Sequence, residues 1–332
     1  MNKSLKKNIL KISIGIGLIY WLIQSGKIDL KLLQEAFSSP IRVTFIILMM
    51  IVIQAIAAAR WRLILEDKTQ TRLPFLRILK ANWIGMFFNT VLPGAVTGDL
   101  VKIFYVTDID PKLTKKYLVA TVFFDRVVGL FGLVIVGGIL SIFNYEQLVS
   151  KSEDIKPLLF ANYVLFGLVI IGVISLFILK DLPNKLAHRV QGVKVIGMIA
   201  VKLETIWDGL YSFRKRMIIL IIFSIVVQTL AVSLFWFITH PFSTSEFTLN
   251  NAFSLVPIGF ISIAIPIAPA GLGVGHAVFD KIFQIVDITN GANLFNIYFF
   301  YVIASGLTGI LPYLLNKDKQ IAIKEVTNLD SN

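Results

Sequence analysis

The chain has 332 residues, 56% of them hydrophobic and 16% charged, and a mean hydropathy of +0.78; soluble domains carry about 25% charged residues. That balance excludes a soluble enzyme, and apolar runs recurring from residue 9 to residue 315 leave no polar block for an appended catalytic module. Without cysteine there is no disulfide, zinc–thiolate site or thiol nucleophile, and the net charge of +12 reads as the basic bias of cytoplasmic loops, not as a nucleic-acid surface.

A membrane-crossing helix needs about 20 mainly apolar residues. In chain order, spans are predicted at 8–24, 41–59, 118–143, 159–179, 217–239 and 294–315. The first contains Lys11, which can snorkel to the interface, and follows Lys3, Lys6 and Lys7. No small-x-small cleavage site follows its apolar core, so it reads as a retained anchor and not as a signal peptide.

Two further apolar regions, 81–106 and 250–283, are interrupted by proline and glycine at Leu92–Asp99 and at Pro266–His276. Neither can be a continuous helix. If both are re-entrant, the chain makes six full crossings with both termini on one face. With the N-terminus inside, 25 Lys and Arg fall in cytoplasmic segments and 6 outside, which supports this arrangement. The first broken segment then dips in from the cytoplasm and the second from the opposite face, as in an inverted repeat with paired discontinuous helices. The expected fold is an all-α polytopic membrane bundle, a single domain over residues 1–332. Residues 184–215 place Leu186, Val190, Val193, Leu203, Ile206, Leu210 and Phe213 at helical spacing among basic residues, the pattern of an amphipathic helix on the inner leaflet.

Irregular backbone at membrane depth is tolerated only when packed in protein or lining a wet cavity. The helix after each break, starting near Thr97 or Gly273, would offer N-terminal amides to an anion, and the glycines would allow a ligand close to the backbone. Close helix packing is the alternative role for such glycines. Asp99 and Lys102 lie one turn apart and can pair. Asp125 and Arg126 are neighbours inside a span, point in different directions and so need separate partners; structural ion pairing is the plain reading of all four. One carboxylate neutralising a basic residue would leave a cation for an anionic headgroup. His276 could couple transport to protons, although a lone histidine is more often a hydrogen-bonded packing residue. Asn82, Asn89 and Thr90 can bond a polar headgroup or cap broken backbone. The histidines form no H-E-x-x-H, and neither a phosphate loop nor a G-x-S-x-G elbow is present, so no enzyme activity, cofactor or metal is expected.

The run Asn89–Lys102, the motif Asp125–Leu130 and the motif Pro269–His276 together resemble the flippase-like, or lysylphosphatidylglycerol synthase transmembrane, family. The resemblance covers nearly the whole chain. It implies a lipid translocase fold like the membrane portion of bacterial multiple peptide resistance factors, here a stand-alone member without the aminoacyl-transferase domain. Two positions depart from the pattern: His276 and Asp125 stand where many members have Glu. The first argues against a cationic headgroup; the second keeps the charge.

The function expected is transport of a phospholipid or polyprenyl-linked lipid, its headgroup crossing through a central polar cavity in a bacterial inner membrane, with both termini cytoplasmic. The residues expected to bind substrate are Asn89, Pro93, Gly94, Thr97, Gly98, Asp99, Lys102, Asp125, Arg126, Pro269, Gly271, Gly273, Gly275 and His276. The expected partner is a lipid with an anionic headgroup, with a protein partner or a second copy also compatible. Two rivals belong to other classes: a membrane-embedded headgroup transferase using Asp99, Asp125 or His276 as base, and a non-catalytic partner of an envelope-assembly or glycosyltransferase complex.

Overall fold

A computed structural model describes residues 30–91, 97–178, 210–264 and 274–315. Among these residues there are helices and turns and no strand. The predicted first span at 8–24 and nearly all of the predicted amphipathic helix at 184–215 lie outside them. Helix α1 is Leu30–Ala36, and α2 is Pro40–Thr69. Ser39 caps α2 by accepting from the Arg42 amide, Pro40 occupies the first turn, and the helix ends at Gln70 in the left-handed region with φ 57°. Thus α2 runs ten residues beyond the predicted span end, at about 1.5 Å each. Arg60 is therefore a helical residue inside the bundle and not, as the charge count had it, part of a cytoplasmic loop.

Two helical hairpins occupy the broken regions. Helices α3 (Phe75–Val91) and α4 (Thr97–Phe104) form the first. After α5 (Lys115–Phe143), the short α6 (Tyr145–Lys151), α7 (Lys156–Ile178) and α8 (Arg214–Thr239), the second is made by α9 (Leu249–Ala264) and α10 (Val274–Gln284). Helices α11 (Gly291–Leu307) and α12 (Ile310–Leu315) follow, so the predicted last span is interrupted by a turn. Among the described residues, five segments are long and apolar enough to cross a membrane: Pro40–Thr69, Lys115–Phe143, Glu153–Ile178, Arg214–Phe242 and Gly291–Leu315.

The order helix–hairpin–helix thus occurs twice, as α2, α3/α4, α5 and as α8, α9/α10, α11. The two leading helices run antiparallel. Arg42 near the start of α2 donates to the carbonyls of Phe237 and Ile238 near the end of α8, both at 3.0 Å. At the other end, Arg216 at the start of α8 donates to the Leu63 carbonyl at 2.7 Å and pairs with Asp67 at 3.4 Å. Each hairpin follows the C-terminus of its leading helix, so the two start from opposite ends of the bundle. The halves also exchange contacts: α9 packs on α5 through Pro257 against Gly137, and α3 packs on α11, where Trp83 Nε1 donates to Thr308 at 2.9 Å.

Within the first hairpin the helices touch backbone to backbone. A Cβ on Gly98 would lie 1.9 Å from the Gly85 carbonyl oxygen, and one on Gly85 would lie 2.8 Å from that of Gly98. No side chain fits there, which is the reason both positions are glycine. Asn89 Oδ1 accepts from the Gly98 amide at 2.8 Å, satisfying a donor in the first turn of α4. The second hairpin is held by rings. Phe279 of α10 stacks on Phe235 and on Phe295, with centroids 5.1 Å apart in both cases, in an apolar cluster that includes Phe247 and Phe283.

Candidate functional site

The first hairpin brings its charged residues against α5. Asp99, in the first turn of α4, sits between two cations: Lys102 Nζ is 3.0 Å from Oδ1, and Arg126 Nε donates to Oδ2 at 2.8 Å. Two cations on one carboxylate give the triad a net charge of +1. Asp99 also supplies negative charge to the α4 N-terminus itself, so that helix end is not an open anion site.

The two cations sit in different surroundings. Lys102 is buried, its ammonium 4.6 Å from the centroid of the Trp61 ring and 3.4 Å from Asn82 Oδ1. Asn82 in turn donates to Gln54 at 3.2 Å, and Trp61 Nε1 to Thr121 at 3.2 Å. Arg126, by contrast, has a side chain 42% exposed. It lies eleven residues into α5, about 17 Å along a helix of about 43 Å, which is near its middle.

Asp125 turns away from that triad. It accepts from Arg60 Nε at 2.8 Å, and Arg60 Nη1 donates to Ser224 at 2.8 Å, so this second ion pair ties α2, α5 and α8 together. Gly129 makes room for it: a Cβ there would stand 3.3 Å from the guanidinium. Adjacent residues on a helix point about 100° apart, which is why Asp125 and Arg126 serve different neighbours.

A cavity of about 780 Å³ opens beside Arg126, between the hairpins. Its walls are Leu100 and Ile103 of α4, Phe260, Ile263 and Ala264 of α9, Gln228 of α8, and a stripe of α5. That stripe is Val119, Phe123, Arg126, Leu130 and Leu133, at helical spacing. Phe123 is 58% exposed, and Val119 and Leu130 are exposed too, so the cavity opens sideways onto the face where a bilayer would lie. The polar cavity expected from the sequence is thus an amphipathic one, apolar walls with a guanidinium in their midst.

A family model described as the lysylphosphatidylglycerol synthase TM region matches residues 8–315. The chain belongs to this family. The matched stretch takes in both hairpins and every residue of the Asp99 and Asp125 pairs. No curated protein and no solved structure matches the chain. Membership of this lysylphosphatidylglycerol synthase transmembrane family, with the apolar helices described above, makes the chain a multi-pass membrane protein of a lipid-related family.

Of the expected site residues in this family member, the structure brings Asn89, Gly98, Asp99, Lys102 and Arg126 together. Asp125 is on the same helix but belongs to the Arg60 pair. Gly275 and His276 lie elsewhere: a Cβ on Gly275 would meet the Phe295 ring at 2.3 Å, and buried His276 bonds Asn296 through Nε2 and meets Phe295 edge-on. Gly98 and Gly275 thus serve helix packing, and the structure does not place either as a close approach for a ligand. Pro93, Gly94, Pro269, Gly271 and Gly273, and the side chain of Thr97, lie outside the described residues. Among the described residues, the second hairpin reaches the cavity through Phe260, Ile263 and Ala264 of α9.

Three participants escaped the sequence reading: Arg60, Trp61 and Gln228. Arg60 was counted among the cytoplasmic basic residues, yet its side chain is only 6% exposed. The usable signal for Arg60 was its place directly after an uninterrupted apolar helix, with Asp125 an unassigned carboxylate inside a span.

Proposed function

We propose that this protein translocates a lipid, with an anionic headgroup engaging Arg126 while the acyl or prenyl tails lie along Val119, Phe123 and Leu130 and in the surrounding bilayer. The observation that carries the reading is Arg126 itself: a half-exposed guanidinium at mid-helix on an apolar stripe that opens sideways. A charge at that depth is costly unless it has a partner or a task. Asp99 is shared with Lys102, so the cluster keeps a net positive charge that a phosphate would neutralise through charge-assisted bonds. The same surplus disfavours a cationic headgroup such as an aminoacylated one.

Transport is favoured over headgroup chemistry because Asp99 and Asp125, the carboxylates proposed as bases, are both held by cations. The inner membrane of a bacterium, with cytoplasmic termini, fits the basic loops best. Reconstitution into vesicles with labelled lipids tests the proposal. Protein is expected to speed leaflet exchange of anionic lipids at least tenfold, and R126Q to abolish the gain. That substitution leaves Asp99 paired with Lys102, so the hairpin is expected to stay folded. Exchange rates that are the same with and without protein, across phospholipid and polyprenyl headgroups, would overturn the reading.

A further inference from the structure

Among the described residues that line the cavity, the polar side chains are Arg126 and Gln228. Gln228 Nε2 donates to the Gly129 carbonyl at 3.2 Å. Gly129 lies three residues beyond Arg126 on α5, about 4.5 Å along the axis, so the amide and the guanidinium share one turn. That carbonyl sits in a helix interior, where the amide four residues on already bonds it. The Gln228 contact is therefore not needed to hold α5. What it does is orient the side chain, leaving Oε1 and the second N–H as the amide's remaining hydrogen-bonding groups beside the cavity.

We infer that Gln228 is a specificity-determining residue that reads the group esterified to the lipid phosphate: Arg126 holds the phosphate, and the Gln228 amide bonds a hydroxyl on the headgroup beyond it. An amide offers both an acceptor and a donor, and a hydroxyl is both, so the two match. An ammonium headgroup donates only, and the net charge of +1 one turn away repels it. In apolar surroundings an amide left unmatched is costly, so a lipid lacking the hydroxyl is penalised and not merely tolerated. The inference rests on the lipid-translocation reading and goes beyond it by naming the substrate class: phosphodiester lipids with hydroxylated headgroups.

The test uses the full chain in vesicles and three labelled probes: phosphatidylglycerol, phosphatidylmethanol, which keeps the phosphodiester charge but has no hydroxyl, and phosphatidylethanolamine. The wild-type protein is expected to move phosphatidylglycerol about five- to tenfold faster than phosphatidylmethanol, the worth of one well-formed hydrogen bond. In Q228M, whose side chain has similar length and no amide, the ratio falls to about one, through slower movement of phosphatidylglycerol and relief of phosphatidylmethanol. Equal slowing of both lipids in Q228M would make Gln228 a strap between α5 and α8 and overturn the inference. So would faster movement of phosphatidylethanolamine than of phosphatidylglycerol. A wild-type protein that moves all three at the protein-free rate refutes translocation itself, a result distinct from movement without preference, which refutes only the role of Gln228.

Discussion

At the scale of single residues, the two ion pairs on α5 have different jobs, and substitution separates them. Arg60 is buried, Asp125 is largely so, and Arg60 also donates to Ser224, so removing one partner strands a charge. D125N is expected to cost about 3–5 kcal/mol, whereas the double variant R60M/D125L, which removes both charges, recovers most of it. Thermal unfolding in detergent reads both, and a double variant no more stable than D125N would show that the pair's geometry, not its charge balance, holds the helices. At Arg126 the charge balance differs, because Lys102 keeps Asp99 paired without it. The residue pattern legible in the sequence was local. The spacing of Asp99 and Lys102 indicated a pair, and the adjacency of Asp125 and Arg126 indicated separate partners. Their actual partners were not legible, because Asp99 lies 27 residues from Arg126 and Arg60 lies 65 from Asp125. Nothing local encodes which distant charge a buried carboxylate meets.

At the scale of elements, the hairpins are alike in layout and unlike in glue. Proline and glycine made both interruptions visible in the sequence, and α3/α4 and α9/α10 flank them as expected. What closes each hairpin was hidden, since a glycine gives the same letter whether it admits a ligand or a neighbouring helix. The gap at Gly98 decides the matter there: with a carbonyl oxygen 1.9 Å from where a Cβ would be, alanine forces α3 and α4 apart. G98A is expected to destabilise the fold by several kcal/mol, on the scale of a badly overpacked core, and to cut the yield of monodisperse protein sharply. G172A is the control, because nothing lies within 4 Å of a Cβ at that position. Size-exclusion profiles of the two variants check the contrast, and equal profiles would mean the hairpin relaxes without cost. His276 shows the converse limit: its sequence neighbourhood suggested a site, but the ring bonds Asn296 in a phenylalanine-rich layer.

At the scale of the whole molecule, the antiparallel α2 and α8 make the two halves point in opposite directions, and this gives a topological prediction. Arg42 clasps the C-terminal end of α8, while Arg216 clasps the C-terminal end of α2. The loop leading into the first hairpin and the loop leading into the second must therefore emerge on opposite faces of the membrane. The natural chain has no cysteine, so single introduced thiols report position without background. Thr71 and Ser245 are exposed residues of those two loops. In intact cells, a membrane-impermeant maleimide is expected to label S245C and to leave T71C unreacted until the membrane is opened, because the basic residues following α2 favour the cytoplasm. Reaction of both thiols from the same side would refute the inverted arrangement, whereas labelling of T71C alone would preserve it and reverse the orientation. The cavity gains its meaning from this arrangement, since α4 of one half and α9 of the other approach the same stripe of α5 from opposite faces. A headgroup held at Arg126 then stands between two hairpins of opposite approach, the placement that alternating exposure to the two leaflets requires.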